Sequence, residues 1–499
     1  MSKNRFNRML INGCALIILG SVLIACQKED FLNPRPTTLI TDITAFDSEE
    51  RILNQVNGLY ARLKTGSFLG ARYFIMGDIR SGDFISTNLN AATGATTYQM
   101  NTETTTDEVE DVWAFAYQAI NACNVFIDNM HLRGLEVTGE ELGANYIAEA
   151  RLIRAVAYYY LLQLYARPYL DGNGSEPGLP LRLEGNTDPG NYDLARSSVA
   201  ETYAQIIEDL DFSEQNLPNA YPSDFLNTTR AHRNTAIAFK TKVYLSMQDY
   251  PNVIMEANKI VSPAAPFSSP AGVAHALEPS IQAVFQEPYI TRESIFSMSF
   301  SDQDAQGTAM PAWYLPPRAD GGSASNNGDG GYSLYPDGIP ADPNWSGADQ
   351  RREFLLVGPT SGKLWLTKFK GASPYTAYVP VVRYSEVLLN LAEALARDTQ
   401  SVDARAVALL DAVRGRSDAG TTFTTGDFAN VGGLVDMILK ERHIEFLGEG
   451  IRNADIMRLG IPIPQKPAHS VPAVSPSAYN YIYPIPINEL NLNKLMTNN

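Results

Sequence analysis

From Tyr146 onward, Tyr146, Ala150, Ile153, Ala157, Tyr160 and Leu164 recur at steps of 4, 3, 4, 3 and 4. That spacing is one face of an α-helix and cannot be the face of a strand. Leu152, Val156, Leu161 and Leu162 widen the stripe, so the helix is buried on most sides and needs other helices around it. Pro168 ends it. Ser198 with Glu201 is a capping-box pair that starts another helix, with Tyr203, Ile206, Ile207 and Leu210 as its stripe. Arg233 to Met247 reads as a helix, and Gln248-Asp249-Tyr250 as a tight turn. Pro251 opens the helix running to Val261. This unit of about 30 residues has the build of a tetratricopeptide repeat. A second pair follows, with stripes Tyr384, Leu388, Leu391, Leu395 and Val402, Ala406, Leu409, Leu410, Val413. An earlier helix spans about Glu108 to Met130 and carries Val112, Phe115, Ala119, Ala122 and Phe126, with Trp113 as core.

Between the helices lie long insertions. Gly66 to Thr106 is rich in Thr, Asn, Gly and Ser, and residues 301 to 350 are richer still in Gly, Asp and Pro. Stretches this long without regular structure are functional or disordered. Their aromatics favour function: Tyr73, Phe74, Phe84 and Tyr98 in the first, Trp313, Tyr314, Tyr332, Tyr335 and Trp345 in the second. Sugars present polar edges and apolar C–H faces, which a flat ring and neighbouring Asp, Asn or Arg side chains can hold. Trp313-Tyr314, set between Pro311 and Pro316-Pro317, are therefore candidate ligand platforms. Asp83, Phe84 and Asn88 are candidates in the first insertion. The competing expectation for Trp313 is a core anchor that pins a long loop.

Enzyme signatures are missing. The five histidines (131, 232, 275, 443 and 469) have no metal-ligand spacing. The patterns H-E-x-x-H, G-x-S-x-G and C-x-x-C do not occur, and Gly362-Lys363 is followed by Leu364, which breaks a phosphate loop. Asp302-x-Asp304 resembles the start of a calcium loop, but its twelfth position is Trp313 and not Glu. An irregular calcium site there is the one cofactor expectation; no resident metal or catalytic residue is expected. The 39 basic and 55 acidic residues give a net charge of −16, with no basic cluster for nucleic acid.

The N-terminus reads as an address. Lys3, Arg5 and Arg8 precede an apolar run from Leu10 to Ala25, shorter than the roughly 20 residues of a membrane span. Leu23-Ile24-Ala25-Cys26 resembles a bacterial lipoprotein box, so residues 1–25 are expected to be removed and Cys26 acylated. Loss of three basic residues takes the charge from −16 to −19. Cys14 then departs with the leader and Cys26 carries lipid, leaving Cys123 as a helical filler. Lys28-Glu29-Asp30 resembles an export tag for the cell exterior.

Four ordered blocks carry a wider resemblance. They are Glu149-Ala150-Arg151-x-x-Arg154-Ala155, then Arg383-Tyr384-Ser385-Glu386 through Ala392-Glu393-Ala394. Next come Glu441-Arg442-His443-Ile444-Glu445 with Gly448-Glu449-Gly450-x-Arg452-x-x-Asp455, and finally Tyr483-Pro484-Ile485-Pro486-x-x-Glu489. On these, the chain resembles the SusD/RagB-like family of outer-membrane nutrient-binding lipoproteins; His443 stands where that family often has Arg. The resemblance implies a mainly α fold of about four degenerate tetratricopeptide-like helix pairs, with a loop-rich, irregular second region forming the binding face. The expected divisions are residues 26–272 and 273–499. It also implies a non-catalytic receptor that passes an oligosaccharide to a TonB-dependent transporter of the SusC type. Peptide delivery and a periplasmic protein-interaction scaffold are the alternatives. The blocks themselves read as scaffold, with Arg383–Glu386 and Arg442–Glu445 spaced for i,i+3 ion pairs and Glu449, Arg452 and Asp455 fastening the following loop.

Overall fold

A computed structural model describes residues 44–90, 93–305 and 309–499. Its principal helices are α1 (Glu49–Leu63), α2 (Arg72–Arg80), α3 (Asp107–Asn129), α4 (Leu135–Tyr165), α5 (Val199–Asn216), α6 (Arg233–Ser246), α7 (Tyr250–Ile260), the short α8 (Met310–Tyr314), α9 (Tyr384–Thr399), α10 (Ala404–Ser417), α11 (Val431–Glu445) and α12 (Ile451–Leu459). The leader, Cys26 and the export tag lie outside the described residues. Among the described residues, no helix is long and apolar enough to cross a membrane.

The stripe on α4 does what its period requires. Every residue from Tyr146 to Tyr165 except Arg151 is buried, because α1, α3 and α5 pack around the helix. The stack continues from α5 to α6, from α6 to α7 and α9, and from α9 to α10 and α11. Local signals set the boundaries. Ser198 and Glu201 form both halves of the capping box of α5. Gln248 takes a left-handed φ of 60° in the turn after α6, and the Asp249 side chain then caps α7 by accepting from the Asn252 amide. Residues far along the chain close the C-terminal end of α4. The Tyr483 amide donates to the Leu164 carbonyl at 2.7 Å, and the Asn499 side chain donates to the Tyr165 carbonyl at 2.9 Å.

Among the described residues six short strands complete the fold: β1 (Phe84–Ser86), β2 (Ser294–Met298), β3 (Tyr332–Leu334), β4 (Leu355–Val357), β5 (Leu364–Leu366) and β6 (Val379–Arg383). An antiparallel sheet runs β1-β3-β5-β4, while β2 pairs with β6. The two insertions expected to be irregular are therefore partly regular and joined to each other. Phe84 from the first faces Leu334 from the second, and Ser86 faces Tyr332. The first insertion also contains α2, which is buried along almost its whole length.

A charged core fastens this sheet region to the helices. Arg383 bonds Glu293, Glu445 and Glu449. Arg351 bonds Asp349, Glu441 and Glu445. Arg416 reaches Glu293 and Glu445, Arg414 reaches Glu441, and Lys368 reaches Glu449. Five bases thus meet five acids, all with side chains less than a twentieth exposed. Burial alone would raise the Glu445 carboxyl; Arg416, Arg383 and Arg351 outweigh it and hold it well below the usual carboxylate range. The i,i+3 pairs expected in the family blocks do not form. Glu386 pairs with Lys242, and Arg442 pairs with Asp455 and Asn390. These side chains point into the core, where partners come from other elements. The blocks are scaffold, held by long-range contacts.

Candidate functional site

The sheet carries an aromatic floor. Phe84 stacks on Tyr314 with centroids 4.9 Å apart and planes 21° apart. Tyr314 OH donates to Asp78 Oδ2 at 2.7 Å, and Asp78 Oδ1 accepts from the Gly450 amide at 2.9 Å. Burial pushes the Asp78 carboxyl well up. Trp313 stacks on Tyr332, centroids 5.7 Å apart and nearly parallel at 11°. Gly331 lies over the same indole, where a Cβ would stand only 3.5 Å from it. Asp83 accepts from Ser81 Oγ at 2.9 Å and pairs with His443 Nε2 at 2.8 Å. Burial works against ionisation of Asp83, but His443, joined by Arg452 and the Ser81 hydroxyl, outweighs it and lowers the carboxyl.

Trp313, Tyr314, Phe84 and Asp83 are thus buried, with Trp313 the least so at 8%. None presents a free ring face as a sugar platform, and the core-anchor expectation for Trp313 describes its position. The physical reason is supply. A segment rich in Gly, Ser and Asp can bury little apolar surface except its rings, so the rings make its core. Among the five candidates only Asn88 is exposed. Cys123 is buried, and burial pushes its thiol up to about 12, which makes it an inert filler.

Above the floor runs a polar rim. Thr87 N and Oγ1 both bond the Gly331 carbonyl at 3.0 Å. This brings Asn88, Leu89 and Asn90 beside the segment that continues back to Asn327. Leu89 is 39% exposed. On that segment Ser323 and Ser325 are exposed, and Asn326 and Asn327 half-buried. Amide and hydroxyl side chains in this density suit a hydroxyl-rich ligand. Sequence reasoning does not single out Asn326 or Asn327; their signal is the run Ser323-Ala324-Ser325-Asn326-Asn327 within a Gly-rich stretch.

Below the rim, three buried polar atoms have no hydrogen-bond partner among the described residues: Ser86 Oγ, Tyr98 OH and Lys466 Nζ. Lys466 Nζ lies 5.2 Å from the Tyr98 ring centre. Burial, helped by the nearby Arg80 charge, pulls the Lys466 amine down to about 7. Asp304, from the expected calcium loop, is paired with Lys64. Among the described residues no cluster of three His, Cys, Asp or Glu could hold a metal.

Comparison with known proteins fits this geometry. A family model described as "Starch-binding associating with outer membrane" matches residues 30–245, and a SusD family model matches residues 363–499. The crystal structure of a SusD superfamily protein from Bacteroides fragilis superposes with a TM-score of 0.79 at 31% identity, covering 91% of this chain and 99% of the other. The chain belongs to the SusD family. Its relatives include the SusD-like protein P25 of Formosa agariphila, 23% identical over 96% of this chain and 97% of that protein. They also include surface glycan-binding protein A of Bacteroides thetaiotaomicron, solved in complex with laminarihexaose. That structure is 19% identical with a TM-score of 0.70, over 90% of this chain and 98% of that one. The SusD family comprises binding proteins and not enzymes.

Proposed function

We propose that this SusD-family protein captures an oligosaccharide without cleaving it and passes it to a TonB-dependent outer-membrane transporter of the SusC type. The observation that carries the reading is its match, along nearly the whole chain, to a fold seen elsewhere holding a glucan hexasaccharide. The Asn- and Ser-rich rim supplies hydroxyl-binding groups where the two insertions meet. In this reading Cys26 bears the lipid, the protein faces the cell exterior, and the helical stack meets the transporter. A mature charge of −19, counted from the sequence with residues 1–25 removed, biases the surface against polyanionic ligands.

Calorimetry against a panel of neutral plant, algal and host oligosaccharides, with product analysis, tests the reading. Saturable binding with the oligosaccharide recovered intact is expected. Binding to none of the panel, or release of new reducing ends, would overturn it. Protease shaving of intact cells should remove the protein; resistance until lysis would place it inside.

A further inference from the structure

A cleft of about 490 Å³ lies away from the rim and shares no residue with it. Its size is within the roughly 300–1,000 Å³ of small-molecule sites. One wall is Tyr479, which at 84% exposure is the most exposed large apolar or aromatic side chain among the described residues. The ring is rigidly mounted. Asn480 Nδ2 is tied to the Met100 carbonyl at 2.8 Å, and the next residue, Tyr481, is buried with its hydroxyl on the Ile461 carbonyl at 2.8 Å. The neighbours of Tyr479 thus take the inward directions and leave its ring in solvent.

The remaining walls are polar and preorganised. Arg196 is locked onto the Gly178 and Pro177 carbonyls at 2.7 and 2.9 Å. Arg167 Nε bonds Asp171 at 2.8 Å. Two groups are left unspent. The Glu176 carboxylate has no partner among the described residues. Asn498 uses its oxygen on the Ile485 amide at 2.9 Å, and its NH₂ has no partner among the described residues. Among the side chains lining the cleft, Arg167 and Arg196 balance Asp171 and Glu176, so no basic excess is present to attract a polyanion. An open ring face, a free acceptor and a free donor in a neutral concave site match the C–H face and hydroxyls of a neutral pyranose.

We infer that the Tyr479 cleft is a second carbohydrate subsite, in which a neutral sugar ring stacks on Tyr479 and its hydroxyls bond Glu176 and Asn498. The inference rests on the glycan-binding reading above and adds a separate place of contact. The test uses the full mature chain and the neutral oligosaccharide bound most tightly in the panel. Calorimetry is run on the wild type, Tyr479→Ala, Glu176→Gln, and a rim variant combining Asn88→Ala with Asn327→Ala. The wild type should bind at two sites. Tyr479→Ala should weaken one of them by about tenfold, and Glu176→Gln by about threefold, with the rim site and the melting temperature unchanged. Unaltered affinity and stoichiometry in Tyr479→Ala would overturn the cleft while leaving the rim reading intact. Loss of transporter co-purification in Tyr479→Ala with sugar binding preserved would also overturn it, assigning the face to a protein partner. A wild type that binds no oligosaccharide sinks both readings.

Discussion

Trp313, in the short helix α8, and Tyr479, in a single turn near the C-terminal end, are both aromatic residues close to prolines and outside the helical stack, yet one is walled in and the other stands in water. Trp313 has Tyr332 on one face and Gly331 against the ring. Gly330, at a φ of 61°, lets the chain turn over that floor. Tyr479 sits between residues already committed inward, so nothing covers it. The contrast teaches that a loop ring's role is set by the backbone that returns over it, more than by its own neighbours in sequence.

The contrast can be broken or sharpened by substitution. The largest effect should come from the charged core that holds the floor in place. Arg383→Ala leaves Glu293, Glu445 and Glu449 short of their shared partner and should cost about 3–5 kcal/mol in urea unfolding. Trp313→Ala should cost a similar or slightly smaller amount, about 3–5 kcal/mol for a large buried ring. A loss below about 1 kcal/mol would erase the distinction from Tyr479. Lys466→Met should stabilise the fold, because the buried amine is unpartnered and its folded pKa of about 7 lies below its unfolded value. The unfolded chain binds the extra proton between those two values, so the penalty is full below about pH 7 and fades as pH rises toward the unfolded value. The gain should therefore be about 2–4 kcal/mol at pH 7 and shrink by pH 10; a gain independent of pH would rule out the amine as its source. Smallest of all, Tyr479→Ala should change stability by no more than about 0.5 kcal/mol, read as an unchanged melting curve.

Much of the helical half is legible in the sequence. The steps along Tyr146 to Leu164 predict a helix buried on most sides, and the capping pair Ser198–Glu201 marks the start of α5 to the residue. The family blocks read correctly as scaffold, though their ion partners do not. Arg383 finds Glu445 62 residues away rather than Glu386 three residues on, because Arg383 ends β6 and does not stand on α9, and a partner from another element leaves no mark in local spacing. The floor is less legible for the same reason. Tyr314 is secured by Asp78 from 236 residues away, and no local pattern reports that. Tyr479 is missed because it lies outside both long insertions and just ahead of the Tyr483 block, where no local pattern marks a ring in solvent.

The closure of α4 has a consequence for how the chain is made. Its C-terminal end, at Leu164 and Tyr165, receives its shortest bonds from Tyr483 and Asn499, with a longer one from Arg196 to the Tyr165 carbonyl at 3.4 Å, and the Ile487 amide reaches back to the Thr104 carbonyl at 2.8 Å. A nascent chain stalled before residue 483 therefore lacks the partner of the Leu164 carbonyl and leaves this helix end open to chaperones and proteases. The segment from Tyr483 to Asn499 thus seals this end of the core, and deletion of residues 483–499 should leave a protein that is expressed but degraded.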